Sequence, residues 1–252
     1  MTNGDLKKVV KRLIPFRYYS PVSSIYVRLR NFGLNRYCPV CRTHLRSFTS
    51  YEAGRIECEC PVCRSLERHR LVWLFFTRKT NLFDGVPKKF LHIAPEWTFV
   101  EVFSRMRFLK YITADIASPL AMVHLDVTAL PFTDKYFDVI FCSHVLEHVP
   151  NDQTAMREFY RVLKPAGWFL PDVPILRDTT FEDPSITGSE ERERVFGQND
   201  HVRIYGRDFK KRLENAGFEV RLDPLAHELG EMARRMNGVD DCDLYFCTKA
   251  RL

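Results

Sequence analysis

No stretch of this chain approaches the apolar length needed to cross a bilayer, so a membrane-spanning helix is not expected. A disulfide framework is missing too. Five of the eight cysteines fall between Cys38 and Cys63, four of them in two pairs with metal-knuckle spacing, and this usage fits a reducing, cytoplasmic compartment. The opening residues, Met1 to Leu13, mix lysines with Val9, Val10 and Leu13, and they lack the continuous apolar core of a secretory signal. No solenoid-length repeat is visible, although Cys-Pro-Val-Cys-Arg occurs twice. What remains is ordinary globular composition, 45% hydrophobic and 28% charged over 252 residues, enough for one α/β core and a small appendage.

Charge is unevenly spread. Residues 1–80 hold 16 Lys and Arg against 5 Asp and Glu, a balance of +11, whereas the rest holds 22 against 27. A basic head of this kind suits phosphate, on RNA or an anionic membrane surface, or simply forms a solvated face. Within it, residues 5–14 and 21–32 read as short amphipathic helices carrying Tyr18, Tyr19 and Tyr26 among arginines. Helices this short need something to dock on, either the protein's own body or a membrane periphery.

The two knuckles, Cys38-Pro-Val-Cys41-Arg and Cys60-Pro-Val-Cys63-Arg, leave 18 residues between their inner cysteines. Each brings two thiolates to one ion, and four thiolates complete a closed tetrahedral shell, the arrangement of structural Zn²⁺ rather than of a catalytic metal. Cys58, His44 and His69 are competing ligands that match the repeated pattern less well.

From Lys89 onward, short β-like runs alternate with helical ones, the rhythm of a doubly wound parallel sheet. The expected organisation is a helical head over 1–36 and a metal module with a linking helix over 37–80. An α/β domain over 81–252 follows, with an inserted lid around 177–200.

Phe137-Asp138-Val139-Ile140-Phe141-Cys142-Ser143-His144-Val145-Leu146-Glu147-His148-Val149, followed by Arg161-Val162-Leu163-Lys164-Pro165-Ala166-Gly167-Trp168, carries a family signature. With Asp126-Val127-Thr128-Ala129-Leu130-Pro131-Phe132 upstream, it closely resembles class I, type 11-like S-adenosylmethionine-dependent methyltransferases. The resemblance covers roughly residues 88–250 and implies a Rossmann-like, mostly parallel seven-stranded sheet. It also implies cofactor contacts at Asp115 (ribose hydroxyls) with Ile116 beside it, Asp126 and Val127 (adenine), and Ser143 and His144 (the mouth where methyl meets acceptor).

The family's glycine-rich first turn is replaced here by Phe90-Leu91-His92-Ile93-Ala94-Pro95-Glu96-Trp97. His92 stands where the family has an acid, and Ala94, Pro95 and Glu96 occupy the glycine positions, which restricts close backbone approach. Glu96 is a candidate for the cofactor's ammonium. Further on, Asp200-His201-Val202-Arg203-Ile204-Tyr205-Gly206 lies where such enzymes place acceptor-binding residues. His201 is the candidate general base, with His144 also near the chemistry; Arg203 and Tyr205 are candidate acceptor contacts.

His144-Val-Leu-Glu147-His148 also fits the H-x-x-E-H pattern of some zinc peptidases, but its flanks match the methyltransferase pattern. A divalent cation on Glu147 and His148, or simple lining of the cofactor pocket, are the other readings. The functional expectation is methyl transfer from S-adenosylmethionine to an oxygen or nitrogen of a small molecule or glycan. The alternatives are an RNA methyltransferase gripping RNA through the basic head, and a catalytically silent scaffold.

Overall fold

A computed structural model describes residues 21–51 and 54–250. The chain divides into two compact units, one of Met1–Phe83 with Pro224–Cys242, the other of Asp84–Asp223 with Asp243–Leu252. The expected helix over 5–14 lies outside the described residues.

In the first unit, helix α1 (Pro21–Arg30) precedes a small antiparallel hairpin of β1 (Arg36–Cys38) and β2 (Thr43–Leu45). Helix α2 (Glu67–Lys79) follows, with Glu67 in its first turn and Arg78 and Lys79 in its last, both favourable to the helix dipole. His69 Nδ1 accepts the Leu66 amide at 3.0 Å and so satisfies one amide at the start of the helix. The apolar run Leu71 to Phe76 is buried throughout.

The second unit is built on a seven-stranded sheet. Its strands are β3 (Lys88–Ile93), β4 (Leu109–Asp115), β5 (Val123–His124), β6 (Phe137–Ser143), β7 (Leu163–Asp172), β11 (Glu219–Asp223) and β12 (Leu244–Thr248). The order is β11-β12-β7-β6-β3-β4-β5. The five strands from β7 to β5 pair in parallel, and β12 runs antiparallel between β7 and β11. Strand order reverses between β3 and β6, so the crevice for a ligand falls at the carboxyl ends of those two strands.

Helices α3 (Trp97–Phe103) and α4 (Asp152–Val162) follow β3 and β6, and α6 (Phe209–Asn215) precedes β11. One sheet face buries Leu91, Ile93, Ile140 and Cys142 with Ala155, Met156 and Phe159 of α4. The other packs Phe90, Phe99, Phe103, Tyr111 and Phe141 as a layer of ring contacts. Full burial of each such ring stabilises by roughly 1.5–3 kcal/mol, which makes this layer a main anchor of α3.

The segment expected as a lid is structured. Strands β8 (Ile175–Arg177), β9 (Phe181–Glu182) and β10 (Arg203–Gly206) form a separate sheet in the order β8-β10-β9, with helix α5 (Ser189–Phe196) between β9 and β10.

After β11 the chain returns to the first unit as α7 (Leu225–Glu228) and α8 (Gly230–Asn237). The sequence reading placed these residues in the α/β domain and predicted no helix there. Within the first unit α7 meets α2, with an ion pair between Lys79 and Glu228, and α8 lies against β1.

Candidate metal centre and cofactor edge

The four knuckle cysteines converge: their sulfurs all lie within 4.8 Å of one another. Cys38 and Cys63 Sγ are 3.6 Å apart and Cys41 and Cys60 Sγ 3.8 Å, far beyond a disulfide bond. A tetrahedral ion with Zn–S bonds near 2.3 Å separates its sulfurs by about 3.8 Å, so these residues fit Zn²⁺. Arg42 and Arg64, each directly after a knuckle, take positive φ of 53° and 63°, the left-handed backbone that closes each turn. The competing ligands fall away: Cys58 Sγ faces the Arg55 carbonyl at 3.5 Å, His44 stacks near Tyr37, and His69 caps α2.

A residue that sequence reasoning missed completes the electrostatics. Arg70 is fully buried, donating to the carbonyls of Ser65, Cys58 and Gly238 and lying 3.9 Å over the Phe48 ring. Burial pulls its guanidinium pKa down, and the charges of Cys38, Cys60, Glu67 and Cys63 oppose that pull. A metal bound to four thiolates is net anionic, and Arg70 is the matching buried cation. Its only sequence signal is an arginine set against the apolar run of α2.

At the switch point of the second unit, Ala94 follows β3 with φ +52° and His144 follows β6 with φ +52°. Ala94 thus adopts the left-handed turn that the family gives to glycine, with its amide donating to Ala114 O at 2.9 Å. Strained backbone of this kind clusters at functional edges. Asp172, at the end of β7, organises the neighbouring edge: its carboxylate accepts from Ser143 Oγ at 2.9 Å, and its carbonyl accepts from the His144 amide at 2.8 Å.

Asp115 ends β4, half-buried, and its Oδ1 accepts from the amides of Ala117 and Ser118 at 2.8 and 2.7 Å. Ile116 beside it is 75% exposed, an apolar side chain outside the core. Asp126 is exposed and closes a turn by accepting from Thr128 N and Oγ1, both at 2.8 Å.

Several expected site residues are placed elsewhere. His92 is fully buried among Phe90, Phe99, Phe103 and Phe141, with Nδ1 2.7 Å from the Tyr111 hydroxyl; its ring belongs to the aromatic layer. Glu96 starts α3, and its charge adds to burial in pushing the Tyr111 phenol up, so its carboxylate faces that same layer. Val127 is packed into the core on the opposite face.

Arg203 and Tyr205, expected to hold the acceptor, are corrected by their contacts. Arg203 is 3% exposed, and its guanidinium donates to the carbonyls of Leu146, Val149 and Pro150 and to Glu182. Tyr205, also buried, donates to Asp152 Oδ2 at 2.7 Å and approaches Leu146 O at 3.2 Å. Asp152 and Glu182 also receive Arg212. These donors are spent inside the protein, where they clamp the loop after β6.

That loop, residues 144–151, consists of turns, so the peptidase reading fails for want of the helix that H-x-x-E-H requires. Glu147 is 2% exposed, with Oε1 3.1 Å from His144 Nδ1. His148 Nδ1 lies 3.2 Å from Asp200 Oδ2, and its ring stands edge-on to that of His201 at 4.6 Å. Burial, then the neighbouring His148, holds the His201 imidazole below its usual pKa.

Residues 97–170 match the family described as a methyltransferase domain. The match covers less than half of the chain. The chain shares 36% identity over 61 residues with a sterol 4-C-methyltransferase of Caenorhabditis elegans, covering 24% of this chain and 18% of that protein. It shares 39% over 66 residues with the ubiquinone/menaquinone biosynthesis C-methyltransferase UbiE of Yersinia enterocolitica, 26% of each chain. The chain therefore spans about a quarter or less of the length of these curated relatives. In fold, it resembles an S-adenosylmethionine-dependent methyltransferase from Mesorhizobium loti, with TM-score 0.50 at 9% identity over 70% of this chain and 96% of that one. The likeness is one of fold, a mostly parallel seven-stranded sheet. No described helix is long and apolar enough to cross a membrane.

Proposed function

We propose that the protein transfers the methyl group of S-adenosylmethionine to an oxygen or nitrogen of a small-molecule or glycan acceptor. The observation that carries the reading is the left-handed turn at Ala94, opposite His144 at the switch point and just ahead of the segment, residues 97–170, that matches a methyltransferase domain. Asp115 would take the ribose hydroxyls through the carboxylate oxygen not used in its turn, with Ile116 against the adenine. Asp126 would accept from the adenine amino group, and Ser143 and His144 would line the mouth. His201, kept neutral by its burial, would accept the acceptor's proton as the sulfonium departs.

The S-adenosylmethionine donor supplies an activated methyl when bound; the chain's own residues supply position and proton removal. The four-cysteine centre would hold Zn²⁺ as a structural ion. A carbon acceptor is the second reading, favoured by the two curated relatives, both of them C-methyltransferases.

The test is transfer of label from methyl-labelled S-adenosylmethionine to a panel of hydroxyl, amine and activated-carbon acceptors, with structured RNA as a separate arm at rising salt. Labelling of hydroxyl or amine compounds, insensitive to salt, supports the reading. Labelling only of carbon acceptors, or only of RNA with steep loss at high salt, overturns it.

A further inference from the structure

Glu147 raises a problem that methyl transfer does not solve. Its carboxylate is almost wholly buried, and neither oxygen accepts a hydrogen bond from the protein; His144 Nδ1, 3.1 Å from Oε1, does not complete one. An ionised carboxylate buried without donors is costly, so such a group is expected to hold a proton or a cation. Two imidazoles face the same spot. Ligand atoms of Glu147, His148 and His201 all lie within 4.8 Å of one another, and His201 Nε2 is buried without a protein partner.

The surroundings hold these side chains as a metal centre would need. Asp200 sits on His148 Nδ1 and the Phe196 backbone hydrogen-bonds the His201 ring, orienting each imidazole from behind. The Val202 amide donates to Glu147 O at 2.9 Å, joining the two segments that carry the three side chains. The Arg203 clamp fixes the carbonyls before and after the pair, at Leu146, Val149 and Pro150.

We infer that Glu147, His148 and His201 form a second metal site, distinct from the four cysteines, which takes a divalent first-row cation on two imidazoles and one carboxylate. Three protein ligands leave coordination positions open, and nitrogen with oxygen donors suits Mn²⁺, Fe²⁺ or Co²⁺ better than the thiolate shell does. The inference about what the ion does rests on the methyltransferase reading: an open position would take the acceptor's oxygen and make it easier to deprotonate. His201 would then serve as a ligand rather than as the free base.

The test is titration of Mn²⁺ into zinc-loaded full-length protein, followed by the electron paramagnetic resonance signal of free Mn²⁺, with S-adenosylhomocysteine binding measured on the same samples. One saturable site per chain is expected, weakened at least tenfold in Glu147→Gln and His148→Gln while S-adenosylhomocysteine affinity is kept. His148 is half-exposed, so its variant carries the test if Glu147→Gln fails to fold. Asp115→Ala should show the reverse, Mn²⁺ bound and S-adenosylhomocysteine lost, which separates this inference from the cofactor reading. Absence of a saturable site in wild type, or affinity unchanged in both Gln variants, would overturn the inference.

Discussion

Replacing Arg203 by alanine should destabilise the second unit severely without touching any group that meets substrate. The guanidinium is 3% exposed and satisfies three loop carbonyls together with Glu182 Oε2 at 2.8 Å. Each buried acceptor left without a donor costs about 1–3 kcal/mol, and the pair with Glu182, whose side chain is 38% exposed, adds up to about 1 kcal/mol. The contributions overlap, because the loop relaxes once released and Glu182 keeps Arg212, so a total on the order of 4 kcal/mol is expected. Arg203→Lys keeps the charge but not the planar fork, and should recover less than half of the loss. Urea unfolding monitored by near-ultraviolet circular dichroism measures both. An Arg203→Ala variant within 1 kcal/mol of wild type would refute the clamp and return Arg203 to the acceptor site.

The remaining predictions concern the turns and the cysteine centre. Ala94→Gly should raise the melting temperature slightly: relief of left-handed strain, about 1–2 kcal/mol, outweighs the entropy cost of glycine, about 0.5–1 kcal/mol. A fall of several degrees would contradict the positive φ. Tyr205→Phe should cost about 1 kcal/mol for its lost hydroxyl bond and leave methyl-transfer KM unchanged, where a substrate contact would raise it. Denatured protein should release one Zn²⁺ per chain to a colorimetric chelator, and Cys60→Ser should abolish stoichiometric zinc; full zinc content in that variant would exclude the four-cysteine shell.

The sequence carried the sheet well because parallel strands buried on both faces read as continuous apolar runs, as in Val139 to Cys142. The cysteine centre was legible because chelation imposes a spacing that chance seldom repeats. Burial of polar residues was not legible. Arg203 and Tyr205 sit beside His201 in the chain, and nothing in residue type distinguishes a guanidinium aimed at a ligand from one spent on carbonyls. His92 was misread for the same reason: its partner Tyr111 is 19 residues away on the neighbouring strand. The left-handed turn at Ala94 left no trace because alanine gives no signal for positive φ, whereas glycine would have. Helices α7 and α8 were missed because they are only 4 and 8 residues long, too short to show a sustained helical period or to persist alone in water.

The central claim is that the edge around Ala94 and Asp115 binds S-adenosylmethionine. Calorimetric titration of zinc-loaded protein with S-adenosylmethionine and S-adenosylhomocysteine, for wild type and Asp115→Ala, tests it most directly. The account predicts micromolar binding of both ligands by wild type and at least a tenfold loss in the variant. No binding to intact, folded wild type would contradict it and favour a silent scaffold.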